Sequence, residues 1–255
     1  MSMKKEPKFV SFATQKGGVG KTSFTILVAS LLHYRMGYNV VVFDCDYPQH
    51  SISNLREQDL KIVMQNKHFK QKAHEQFSSI NKKAYPIISC QSNEAIQKAD
   101  EFINETPYDI DVVLFDMPGT VNTAGILTVL SHINHIFAPI TADRVVIEST
   151  LSFTEVLSNI IAKNMDSEIK SVHLFWNQVD GREKSPLYKI YENVIAELNL
   201  SMMQSFISDS KRFRKDGSGN QKYVFRSTLM PADERLMSGC HLDDFIKEFV
   251  KIIEV

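Results

Sequence analysis

Gln15-Lys16-Gly17-Gly18-Val19-Gly20-Lys21-Thr22-Ser23 decides how this chain is read. A short apolar run, Phe9-Val10-Ser11-Phe12-Ala13, leads into it, and a mostly apolar stretch from Phe24 to Met36 leads out. Strand, glycine-rich turn and helix, in that order, form the setting in which such a loop binds phosphate. Glycine lets the backbone take positive φ and leaves no side chain between the main-chain amides and a ligand. Successive N–H groups then make an anion nest, and the helix behind adds the positive end of its dipole. The expected cradle is Gly17, Gly18, Val19, Gly20, Lys21, Thr22 and Ser23. Lys21 brings a point charge to the terminal phosphates. Thr22 offers a hydroxyl to a phosphate-bound Mg²⁺, a hard cation that takes oxygen ligands.

The loop departs from the ordinary pattern, which has glycine five positions before the last glycine. Gln15 stands there, and a second lysine, Lys16, follows it. The string from Lys16 to Thr22 resembles the deviant phosphate loop of the ParA/MinD family of ATPases. That resemblance implies a single-domain P-loop NTPase fold over residues 1–255. The fold would be α/β, with a mostly parallel central sheet, helices on both faces, and ATP at the carboxyl edge of the strands. It also makes Lys16 the signature lysine that reaches across an ATP-dependent homodimer to the partner's phosphates.

Two further strand ends carry carboxylates. Val40-Val41-Val42-Phe43 is a continuous apolar run, as a strand covered on both faces requires. It ends in Asp44-Cys45-Asp46-Tyr47-Pro48-Gln49. The bland reading of these carboxylates is a helix N-cap after a strand. The resemblance instead assigns Asp46 to positioning the attacking water and supporting the metal, with Tyr47 as an insertion relative to the family. Asp111-Val112-Val113-Leu114-Phe115-Asp116 is a second buried strand, followed by Met117-Pro118-Gly119-Thr120. Asp116 suits the Mg²⁺ shell of a Walker B element, and Asp-x-Pro-Gly matches the family's switch segment. The expected catalytic set is therefore Lys16, Lys21 and Asp46, and the metal set is Thr22, Asp46 and Asp116.

Residues 50–83 read as one or two solvated helices. Their lysines (Lys67, Lys70, Lys72, Lys82 and Lys83) admit a DNA-facing role, although a charge run is ordinarily a solvated face. Ile87-Ile88 marks a strand, 93–104 a helix, 133–140 a strand, and Asp143 onward a long helix. His132 and His135 are read as structural. The strand Ser171 to Trp176 runs into Asn177-Gln178-Val179-Asp180. Asn-Lys-x-Asp at such a strand end reads guanine in GTPases, and here Gln178 stands in place of the lysine, so GTP remains the competing nucleotide; the resemblance, rather than these four residues, favours ATP, assigns Asn177 to the base and leaves Asp180 open. A helix over 183–198 and a strand at Ser205-Phe206-Ile207 are expected next.

Lys211, Arg212, Arg214 and Lys215 then form a basic run, continued by Lys222 and Arg226. Such a loop can neutralise DNA phosphates without reading sequence. Pro231, in Leu229-Met230-Pro231-Ala232, resembles a family element beside the base. The last stretch has apolar Leu242, Phe245, Ile246, Phe249, Val250 and Ile253 at helical spacing. Its polar residues lean acidic, which suits docking on the sheet better than binding an anionic membrane.

With 29 Lys and Arg against 30 Asp and Glu, net charge near zero predicts no polyanion partner by itself. No apolar run is long enough to span a bilayer, and no signal peptide is expected. Three cysteines, Cys45, Cys90 and Cys240, lie far apart with no CxxC spacing. This fits a reducing cytosol and gives a cluster-carrying relative no visible cysteine pair. The expected protein is a cytoplasmic, sometimes nucleoid-associated ATPase that partitions plasmid, chromosome or mobile-element DNA. Its expected partners are itself, nonspecific DNA and a ParB-like stimulator. A MinD-like membrane-positioning ATPase and a nucleotide-binding module with little turnover are the rivals.

Overall fold

The computed structural model describes residues 6–119, 124–163, 166–181, 186–211 and 224–255. Its centre is a seven-stranded sheet. The strands are β1 (Lys8–Phe12), β2 (Val40–Asp44), β3 (Ile87–Ser89), β4 (Val112–Asp116), β5 (His135–Ile140), β6 (Ser171–Trp176) and β7 (Ser201–Met202). Their order is β3-β2-β4-β1-β5-β6-β7, and each pairing is parallel. The ends of β1, β2 and β4 therefore meet at one edge, where open α/β sheets bind ligands.

Successive side chains of a strand leave on opposite faces. Val10 and Phe12 join a cluster with α1 (Lys21–Tyr34) and α9 (Leu242–Ile253). Phe9 and Ala13 join another with α4 (Ala95–Glu105), α5 (Ala124–Ser131) and α6 (Arg144–Lys163). The helix expected over 183–198 is α7 (Leu187–Glu197), and a short α8 (Glu234–Ser238) precedes α9. Burial on both faces is why Val40–Phe43 and Val112–Phe115 carry no polar alternation. Helix α1 buries every side chain except Thr22. It stops at Tyr34, two residues before Met36. Arg35 N–H and Met36 N–H both return to Leu31 O, and Gly37 takes φ 82°. Only glycine adopts that conformation without a Cβ penalty.

Helix α9 is docked on the sheet as its apolar spacing predicts. The Phe249 ring lies 4.6 Å from Phe137 and the Phe245 ring 4.8 Å from Phe175, with Phe24 of α1 5.6 Å from Phe245. Each fully buried ring contributes roughly 1.5–3 kcal/mol of transfer free energy. The apolar stripe that would face a membrane is thus part of the core.

Residues 51–80 form two helices, α2 (Ser51–Gln65) and α3 (Lys67–Ile80). Asn66 separates them, its side chain accepting from His68 N–H and Phe69 N–H as an N-cap. Their narrow apolar stripe packs Val63, Phe69 and Ala73 on Val224, Leu229 and Met230. Buried Asp59 of α2 accepts from Thr228 N–H and Oγ1, both at 2.7 Å, and from Ser227 Oγ at 3.1 Å. Arg56 donates to Thr228 O and Tyr85 O. Two of the lysines considered for DNA are engaged within the fold. Lys72 pairs with Asp233, and Lys82 donates to Gly37 O and Asn39 Oδ1.

The expected strand at Ser205-Phe206-Ile207 is not formed. The last strand lies earlier, at Ser201–Met202, and Ser208 makes only an isolated bridge to Val179. The Glu248 carboxylate of α9 accepts from Gln204 N–H and Ser205 N–H at 2.8 and 2.7 Å. Those donors are withdrawn from any ladder, which the local sequence does not reveal.

Candidate nucleotide-binding site

The glycine loop leaves β1 and enters α1 as its sequence predicts. Gly18 and Gly20 have φ 77° and 96°. At Gly20 a Cβ would also lie 3.3 Å from Asn177 Nδ2 and from the Phe24 ring, so both backbone and space demand glycine. The first helical bond is Phe24 N–H to Gly20 O, and no side chain caps the helix. The amides at its start face the loop as a bare positive helix end.

The two loop lysines differ sharply. Lys21 is 8% exposed, and its Nζ donates to Lys16 O at 3.0 Å. Burial lowers its pKa, with Asp116 and then Asp46 opposing that shift. Gly119 of the Asp-x-Pro-Gly segment lies against it, since a Cβ there would sit 3.7 Å from Nζ. Lys16, by contrast, is exposed.

The aspartates divide their work. Asp44 Oδ2 accepts from Ile52 N–H and Ser53 N–H at 3.1 and 2.9 Å, so Asp44 caps α2. Its Oδ1 is buried without a partner. Asp46 is half-buried, and burial followed by repulsion from Asp44 raises its pKa, with Lys21 and His50 opposing. Asp116 is wholly buried and accepts from Thr22 Oγ1 at 2.9 Å and Thr25 Oγ1 at 3.4 Å. Burial pushes its carboxyl up to about 7. Tyr47 lies in a turn. Tyr47 N–H donates to Cys45 O and His50 N–H to Asp46 O, while the Tyr47 ring is 61% exposed.

Crowded hard oxygens, one of them unpartnered, suit a divalent cation. Among the described residues no group of three or more His, Cys, Asp or Glu side chains is arranged to hold a metal directly. Thr22 would therefore ligate Mg²⁺ beside phosphate oxygens, with Asp116 and Asp46 supporting its water shell. Bound there, the ion would neutralise charge on the terminal phosphates.

Other expected residues fall less simply. Asn177 is 3% exposed. Its Nδ2 donates to Val19 O at 2.9 Å and its Oδ1 accepts from Gln178 N–H, so it braces the phosphate loop. Pro231 is half-buried between buried Met230 and Ala232. Lys211 is exposed, while Arg212, Arg214, Lys215 and Lys222 lie outside the described residues. Arg226, read as a continuation of the basic run, sits instead at the phosphate loop, its Nη1 donating to Ser23 Oγ at 2.5 Å. The cysteine reading needs correction too. Parallel pairing of β2 with β3 brings Cys45 Sγ and Cys90 Sγ to 3.6 Å. The helix-cap reading of the strand-end carboxylates thus holds for Asp44, whereas Arg226 at the loop escapes a sequence reading because its partner is reached through the fold rather than the local sequence.

An amide nest backed by a buried lysine and faced by acidic oxygens suits a polyphosphate carrying a divalent ion. On a parallel sheet, that arrangement defines the P-loop nucleotide-binding proteins. The chain belongs to the family described as the CobQ/CobB/MinD/ParA nucleotide binding domain, whose profile matches residues 10–223. The assignment to ParA/MinD proteins therefore holds.

Solved structures agree in fold. A plasmid-partition-type protein of Borrelia burgdorferi bound to AMPPNP is 17% identical with a TM-score of 0.62, over 96% of this chain and 99% of that one. An McdA variant from Cyanothece in complex with ATP is 13% identical with a TM-score of 0.60, over 97% and 95%. The MinD cell division protein of Aquifex aeolicus is 14% identical with a TM-score of 0.54, over 82% and 85%. No curated protein matches this chain by sequence.

Proposed function

We propose that the chain is one nucleotide-binding unit that binds and hydrolyses ATP with Mg²⁺, closes into a homodimer around the nucleotide, and partitions DNA. The observation that carries this reading is the opposite placement of the loop lysines. Buried Lys21 serves the chain's own phosphates, and exposed Lys16 is free of the core at the mouth of the loop. In this reading Asp46 orients a water for in-line attack on the γ-phosphate. Lys21, and Lys16 from the sister subunit, offset the charge that develops on the transferring group. Half-burial beside Asp44 keeps the Asp46 carboxylate basic enough to hold a water. Asn177 and Pro231 flank the base.

The partition role draws on the plasmid-partition-type protein bound to AMPPNP, and the choice of ATP also on the McdA–ATP complex. DNA would meet the basic stretch at Lys211, Arg212, Arg214 and Lys215, and a ParB-like partner would stimulate turnover. Cytoplasmic, nucleoid-associated action follows from that role. The membrane-positioning alternative is weakened by α9, whose apolar residues Phe245 and Phe249 are packed in the core.

The deciding experiment measures ATP hydrolysis with and without duplex DNA, and mass by light scattering with ATP. Stimulation by DNA, with an ATP-dependent mass doubling that Lys16→Ala removes while nucleotide binding persists, supports the proposal. Hydrolysis indifferent to DNA together with a monomer in ATP defeats it.

A further inference from the structure

Cys45 and Cys90 each lie one residue past a registered pair of parallel strands, Asp44 of β2 opposite Ser89 of β3. Cys90 N–H donates to Asp44 O at 3.1 Å, continuing that ladder. Neighbouring strands run about 4.8 Å apart, inside the roughly 4.4–6.8 Å Cα span that a disulfide bridges. The sulfurs are already 3.6 Å apart, and the residues are 1% and 4% exposed. Neither thiol has a part in nucleotide chemistry. Cys45 nevertheless sits between Asp44, which caps α2, and Asp46. Its N–H donates to Asp116 O at 3.0 Å, and its carbonyl accepts from Ser92 Oγ. A crevice of about 260 Å³ opens on Cys45 between Tyr47, Gln91, Ser92, Pro118 and Ile126. That volume admits a molecule the size of a few waters.

We propose that Cys45 and Cys90 form a reversible dithiol–disulfide site that takes a small hydroperoxide as its oxidant and, when closed, restrains the Asp46 loop. The crevice opens on Cys45, so Cys45 meets the peroxide and Cys90, its sulfur 3.6 Å away, resolves. Cys45 gives up its proton and its sulfur bonds to one peroxide oxygen as the O–O bond breaks. With hydrogen peroxide, hydroxide leaves and Cys45 becomes a sulfenic acid. Cys90 gives its proton to that hydroxide and attacks Cys45 Sγ. The S–O bond breaks, the S–S bond forms, and the expelled hydroxide takes up the proton that Cys45 gave up. In sum two thiols lose two electrons and two protons, and one peroxide becomes two waters. A dithiol reductant reverses the bond by exchange.

Closing the gap to a bonded length of about 2.05 Å moves the sulfurs together by roughly 1.5 Å. Asp46 is the next residue along the chain and takes part of that movement. Misplacement on this scale slows a positioned reaction by about ten- to a hundredfold. This consequence rests on the hydrolysis proposed above, whereas the bond itself does not.

The test uses the reduced full chain, hydrogen peroxide, mass spectrometry of a non-reduced digest and ATP turnover on the same samples. The expected result is a linked pair of peptides containing Cys45 and Cys90, lighter by two hydrogens, with Cys240 unlinked. Turnover should fall about tenfold or more and return with dithiothreitol. Cys90→Ser should show neither change, and Cys90→Ala replaces it if a buried hydroxyl disturbs folding. Sulfinic acid at either residue, unlinked thiols after long exposure, or a linked protein turning over like the reduced one overturns the proposal. A reduced chain without ATPase activity sinks hydrolysis and the regulatory half together, while the linked peptide is judged separately.

Discussion

Replacing Asp116 by asparagine tests the electrostatics of the site at one atom pair. The carboxyl is wholly buried and held at about 7 against an ordinary 3.8. The folded chain therefore binds a proton there that the unfolded chain has released. Stability is unpenalised below about pH 4, falls as pH rises from about 4 to 7, and carries the full penalty above about 7. Each unit of displacement is about 1.4 kcal/mol, so the penalty amounts to roughly 4 kcal/mol at alkaline pH without nucleotide. The Asp116→Asn side chain has nearly the same shape, can still accept from Thr22, and carries no charge. Urea unfolding of both proteins at about pH 5 and pH 8, without ATP or Mg²⁺, gives the comparison. The variant should gain about 2–4 kcal/mol on wild type between the two pH values. Asp59 and Asp100 are also raised, but they are common to both proteins and cancel in the difference; Asp46 and Lys21 interact with Asp116 itself, so their share belongs to the measured effect of removing its charge. Parallel pH profiles would refute the reasoning. A further sign is that Mg²⁺ with ATP should expel the proton, so binding enthalpy near about pH 6.5 should depend on the buffer's ionisation heat.

Lys21→Ala should abolish ATP binding, read by fluorescent nucleotide titration; retained affinity would remove the loop assignment. Gly20→Ala should cost about 1–3 kcal/mol, because a Cβ meets both positive φ and the Asn177 amide, and urea midpoints measure it. Phe249→Ala should cost about 3–5 kcal/mol as a core cavity; a loss under ~1 kcal/mol in the same assay would mean α9 is not docked. Replacing Lys211, Arg212, Arg214 and Lys215 with alanine should weaken DNA retention and flatten its salt dependence, and an unchanged gel shift would clear that run of any contact.

The features legible in the sequence are those whose cause is local. The glycine loop, the apolar strands ending in Asp44 and Asp116, and the amphipathic tail each follow from spacing within about a dozen residues. The hidden features depend on strand order. Nothing near Cys45 points to Cys90, since β2 and β3 become neighbours only when the sheet assembles. Composition alone offers both Asp44 and Asp46 as caps or as site carboxylates, and only the family resemblance sets Asp46 apart. Only the arrival of the α2 amides at Asp44 separates a cap from a free carboxylate. Arg226 reads as one more surface cation until the chain's return brings it to Ser23. The triplet 205–207 misleads because Glu248, far downstream on α9, takes the amides at 204 and 205.

Helix α2 is pinned at its start and at its middle to different partners. Its first turn hangs from Asp44, one residue from the Cys45 turn that carries Asp46, and further along Arg56 and Asp59 grip Ser227 and Thr228. One helix thus holds both the carboxyl edge of β2 and the returning segment at residues 227–228, so the chain before the basic run and the chain after it share a single brace.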